Sequence, residues 1–123
     1  MLRSSLAARL TSVAVVVLAA AALAAPALAT RSHATSTLVT VTATEFHFKL
    51  SRTSAPHGAV VFKLVNKGTI PHNFKIAGKK TALISPGKSA KLTVTLATGK
   101  TYTYICTVPG HAAAGMKGKF RSK

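Results

Sequence analysis

The chain has 123 residues, and its 17 lysines and arginines face a single acid, Glu45, for a formal net charge of +16. That length excludes more than one ordinary domain, and the lone cysteine, Cys106, excludes an intramolecular disulfide. The cations are scattered over strands and turns with no basic helix or aromatic-interleaved patch. Nucleic acid is therefore not expected as a partner, which leaves acidic proteins and anionic envelope polymers.

The N-terminus reads as an export signal. Arg3 and Arg9 precede an apolar run from Val13 to Ala25, followed by Ala27-Leu28-Ala29. A positive start, an apolar middle and a small-x-small end make residues 1–29 a Sec-type signal peptide. The run of 13 residues falls short of the ~20 that a spanning helix needs, and with no cysteine near the cleavage site a lipoprotein is not expected. The expected location is periplasmic or extracellular, with contact to an anionic envelope. Cleavage removes two of the 17 cations and leaves 94 residues with 15 cations against one acid, a net charge of +14. Residues 30–37 are polar and read as a flexible tether in which His33 is inert. Residues 38–123 then form the folded domain.

Leu38 to Ala43 alternates and is β-branched, the pattern of a first strand. Phe46 and Phe48 alternate with His47, which predicts a second strand with both phenylalanines inward and His47 on the surface. Ser51 to Gly58 carries Ser, Pro and Gly and reads as a loop holding a solvated His57. Ala59 to Val65 is a strong strand with Val60, Phe62 and Leu64 on one face. Asn66 to Thr69 is a turn, after which Pro71 fixes the approach to a strand beginning at His72. Gly78-Lys79-Lys80 reads as a turn, Thr81 to Ile84 as a short strand or connector, and Ser85-Pro86-Gly87-Lys88 as a strong turn. Ala90, Leu92, Val94 and Leu96 alternate with Lys91, Thr93 and Thr95 in the cleanest amphipathic strand. Thr101 to Cys106 alternates again, and Lys117 to Phe120 closes the sheet. Short strands with frequent turns and no sustained helical period beyond the signal peptide predict an all-β sandwich, connected as a Greek key.

Chemistry concentrates in one stretch. Cys106, His111 and Met116 stand at even intervals, Cys-x4-His-x4-Met, with Pro109-Gly110 providing the turn that points His111 back toward the sulfur. Taken singly, a cysteine or methionine is ordinarily core filler and a turn histidine is ordinarily solvated. Taken together, a thiolate, an imidazole and a thioether suit copper better than zinc, calcium or magnesium. Electron-transfer copper sites use two histidines and one cysteine in a plane with a long axial methionine. His72 is the best second histidine. Metal ligation would also remove the liability of a free thiol in an oxidising compartment. A nucleophilic cysteine enzyme would need an orienting acid that Cys106 and His111 lack, so no enzyme is expected.

With Tyr-x-Tyr-x-Cys-x-x-Pro-Gly-His-x4-Met at 102–116 and the His72-Asn73 pair upstream, the chain resembles the cupredoxins, the small blue copper proteins of the plastocyanin and azurin type. The resemblance covers about Thr37 to Phe120, and the four-residue gap between Cys106 and His111 looks more like the azurin, rusticyanin and auracyanin variants than like plastocyanin. It implies a cupredoxin sandwich with one type 1 copper at one end, held by His72, Cys106, His111 and Met116. Asn73 would hydrogen-bond near the Cys106 sulfur and brace the two ligand segments. It also implies a monomeric one-electron carrier with a redox partner protein. We expect an apolar patch around an exposed edge of His111, with lysines steering an acidic partner. The alternatives are a copper carrier or resistance protein with the same ligands, and a metal-free adhesion sandwich.

Overall fold

The computed structural model describes residues 12, 14–15, 21–22, 24–27 and 35–123. The expected signal peptide and tether fall mostly outside these residues. Among the described residues no helix is long and apolar enough to cross a membrane.

Two sheets face each other across one core. The first has the order β2-β1-β4-β7, built from β1 (Thr37–Thr44), β2 (His47–Leu50), β4 (Gly58–Asn66) and β7 (Ser89–Leu96). The second has the order β3-β9-β8-β5-β6, from β3 (Ser54–Ala55), β5 (Lys75–Ile76), β6 (Lys79–Lys80), β8 (Thr101–Ile105) and β9 (Lys117–Ser122). A single helical turn, α1 (His111–Ala114), lies between β8 and β9. The all-β sandwich expectation holds.

The period-2 pattern puts Val39, Val41, Val60, Phe62, Leu64, Val94 and Leu96 inward from the first sheet, where Ile76, Tyr104 and Phe120 of the second meet them. Phe62 packs edge-on against Phe120 at 5.1 Å and tilted against Phe74 at 5.2 Å, so aromatic rings from both layers lock the interior.

Three details depart from expectation. The stretch Ser51 to Gly58 is more than a loop. Its Ser54–Ala55 pairs in parallel with Arg121 and Ser122, so the chain visits the second sheet before returning as β4 alongside β1, also in parallel. His57 is exposed but tied, its Nδ1 lying 3.1 Å from the Lys123 carbonyl. Lys79 and Lys80 form a strand, not a turn: the turn sits one step earlier at Ala77 (φ 51°) and Gly78 (φ 74°), whose left-handed pair matches the twist of a two-residue hairpin. Phe46, expected inside, occupies the β1–β2 turn and is 41% exposed, while Phe48 is buried.

The parallel pairing of β1 and β4 brings their C-terminal ends to the same end of the sandwich. There the β1–β2 turn, the segment from Asn66 to Phe74 and the β8–β9 loop come together.

Candidate metal centre

His72 is held by its backbone before its ring does anything. Its amide donates to the Ile84 carbonyl at 3.2 Å and its carbonyl accepts from the Ile84 amide at 2.9 Å, an antiparallel bridge outside the named strands. The preceding loop is organised by Asn66, fully buried at the end of β4. Its amide nitrogen donates to the carbonyls of Ile70 (2.8 Å) and Ile84 (3.0 Å), and its oxygen accepts from the Gly68 amide (2.9 Å). A buried side-chain amide satisfied in this way fixes a loop that has no strand pairing of its own.

Cys106 follows the last residue of β8 and is 1% exposed. The Cys106 amide donates to the Met116 carbonyl at 3.0 Å, and the Met116 amide donates to the His111 carbonyl at 3.0 Å, so the two ends of the loop close on each other. Gly110 (φ 84°) and Gly115 (φ 128°) bound the single turn α1, where a sequence reading saw only a turn. At Gly115 a Cβ would stand 3.0 Å from the Phe46 carbonyl oxygen, so the small residue also permits the close approach of the β1–β2 turn.

The side chains of His72, Cys106 and His111 converge. Their donor atoms all lie within 4.8 Å of one another, and all three residues are buried. His72 Nδ1 stands 3.2 Å from His111 Nδ1, which is 3.5 Å from Cys106 Sγ. Donors bound ~2.0–2.3 Å from one ion stand about 3–4 Å apart around a trigonal plane, so the spacing fits a shared metal. Met116 is fully buried, on the same loop. Burial, and then the neighbouring His72, push the His111 imidazole below its ordinary pKa, with Glu45 pulling weakly the other way. The neutral, metal-competent ring is the favoured form.

Asn73 braces the two segments as expected, but through Thr107. Its Nδ2 donates to Thr107 Oγ1 at 2.6 Å and its Oδ1 accepts from the Thr107 amide at 2.7 Å. No hydrogen bond runs from Asn73 to the sulfur among those of the described residues. His111 is 7% exposed, a narrower opening than expected, and the ring of Phe46 packs edge-on against it at 5.1 Å. Pro109, Gly110, Ala113 and Ala114 are exposed beside it.

Sequence reasoning missed Glu45. Its Oε1 accepts from the amides of Thr69 (2.8 Å) and Ile70 (3.1 Å) and lies 3.1 Å from His72 Nε2. Those bonds, the Thr69 amide foremost, hold its carboxyl down at about 2. One signal was available: this is the only acid in the chain. Phe46, Asn66 and Thr107 were missed as well, and nothing in their spacing marks them.

The sequence profile described as copper binding proteins, plastocyanin/azurin family, matches residues 33–122. The chain belongs to this family. Auracyanin-B of Chloroflexus aurantiacus is 50% identical over 38 residues, which is 31% of this chain but only 16% of that relative's length. The fold is similar to dithionite-reduced auracyanin of Roseiflexus castenholzii, with a TM-score of 0.62 and 21% identity over 71% of this chain and 97% of that one. It is also similar to auracyanin A, a "blue" copper protein of Chloroflexus aurantiacus, with a TM-score of 0.60 and 21% identity over 72% of this chain and 100% of that one. Copper is the cofactor of a family member with this donor chemistry, one sulfur and two imidazoles.

Proposed function

We propose that this protein is an exported mononuclear type 1 copper protein that carries single electrons between redox partners and catalyses no reaction. Bound copper supplies the Cu(II)/Cu(I) couple. His72, Cys106 and His111 would hold the copper, with the Met116 thioether as the weakest donor. The carrying observation is the convergence of the three buried donor atoms within 4.8 Å.

The chain's own contribution is rigidity. Backbone bonds at His72, Cys106 and Met116 and the Asn73–Thr107 pair hold the donors in one arrangement, so little reorganises as charge comes and goes. Burial keeps water from the sulfur. This favours an electron carrier over a protein that must release its metal.

Electrons enter and leave through the apolar surface made by Phe46, Pro109, Gly110, Ala113 and Ala114 next to His111. The chain's net positive charge steers an acidic redox protein toward the molecule. Reversible voltammetry of residues 30–123 with copper retained in both states supports the carrier reading. Ready transfer of Cu(I) to a chelating acceptor would instead favour copper delivery. Partner reduction rates should fall as salt is added; rates independent of ionic strength would rule out steering.

A further inference from the structure

The carboxylate of Glu45 stands in an unusual position for the only acid of a chain with 17 cations. It extends from the β1–β2 turn to the loop before β5 and ends at a histidine whose side chain is 0% exposed, while its own side chain is 28% exposed. Three donors converge on one oxygen: the amides of Thr69 and Ile70, and His72 Nε2. Gly68 is part of the same cradle, since a Cβ at that position would occupy the space of the carboxylate.

An ionised carboxylate only accepts hydrogen bonds, so the His72 nitrogen facing it must carry the proton. A neutral imidazole has one N–H and one lone pair. With Nε2 as the N–H, the lone pair falls on Nδ1, the atom that lies 3.2 Å from His111 Nδ1 and faces the cluster with Cys106. The ring plane is fixed by the same bond. A carboxylate behind a metal-binding histidine also raises its basicity and places negative charge one imidazole away from the ion.

We propose that Glu45 is a positioning residue of the copper centre: it sets the tautomer and orientation of His72, and its charge biases the centre toward Cu(II). This rests on the reading of His72 as a ligand. A purely structural role, stitching the turn to the loop, makes different predictions, because glutamine can accept from the same three donors without the charge.

The test uses the whole mature chain, 15N-labelled, as wild type, E45Q and E45A. In the metal-free protein at neutral pH, long-range 1H–15N correlation should find His72 protonated at Nε2 in wild type and E45Q, and a mixture of tautomers in E45A. In the copper-loaded protein, E45Q should keep the wild-type absorption spectrum but move to a higher reduction potential. E45A should bind Cu(II) about 10- to 100-fold more weakly. An unchanged potential in E45Q would overturn the electrostatic part, and an unshifted single tautomer in E45A would overturn the orienting part. Should E45A fail to fold, E45Q against wild type still decides the first, and Nδ1 protonation of His72 in the wild type would overturn the second. Failure of the ligand reading itself looks different: H72A would retain the intense thiolate-to-copper band whatever Glu45 does.

Discussion

Glu45 ties acid stability to one residue. Its carboxyl is held at about 2 in the fold against 4.5 in the unfolded chain, so the folded state gives up its proton more readily. The stabilisation is complete above 4.5, declines as pH falls below that value and is gone below about 2, because protons then bind the unfolded chain preferentially. Acid titration of the metal-free protein should therefore show a drop in stability across this window that is missing in E45Q; equal acid profiles would contradict it. Gly68→Ala acts on the same residue from the other side, pushing the carboxylate off the Thr69 and Ile70 amides. Its acid profile should lose the same drop as that of E45Q, and a wild-type profile would contradict the account. Cys106, His111 and Met116 stand out in the sequence because their chemistry is rare and evenly spaced, whereas His72, 34 residues before Cys106, stands out only as the histidine the pattern lacks. Glu45 was legible only as an oddity of composition. Its partners are two backbone amides and a ring nitrogen 27 positions away, and no local spacing encodes such a contact.

At the scale of elements, the site is three irregular segments joined by polar bonds, so strand propensity says little about it. Asn73→Ala removes both bonds that join it to Thr107, 34 residues away. It should cost about 1–3 kcal/mol of stability and shift or weaken the blue band, because the bracket helps to hold the donors; an unchanged spectrum would mean that the backbone bonds alone place them. The long strands β1, β4 and β7 could be read from alternation, since each has one face buried. Ser54–Ala55 could not: it is too short to display a period and exists because β9 offers a pairing partner. The strand expected from His72 is shorter than its alternation suggests, since only Lys75–Ile76 pairs with β8 and His72 makes an isolated bridge. Phe46 misled for a related reason: its alternation with Phe48 ends at the turn, where register no longer decides direction.

Over the whole molecule, positive charge is spread with almost nothing to balance it. Lys75 pairs directly across from Lys80, and Lys63 from Lys91. Lys117, Lys119 and Arg121 line the exposed face of β9. Like charges directly opposite destabilise a sheet. Raising ionic strength from ~0.01 to ~0.15 M should therefore raise the thermal midpoint of the metal-free protein. A midpoint that falls or stays level would mean these charges are already too well solvated to interact. This surface bears on solubility and partner choice, whereas the aromatic interior and the donor cluster carry the fold and the chemistry.

The most direct test of the copper centre is the visible and EPR spectrum of residues 30–123 titrated with Cu(II), for wild type and Cys106→Ser. The wild type should take up one equivalent and develop an intense blue thiolate-to-copper band with the EPR signal of a type 1 site, and Cys106→Ser should lack the band. A wild-type protein that stays colourless, or a band that survives in Cys106→Ser, would contradict the assignment of His72, Cys106, His111 and Met116 as the ligands.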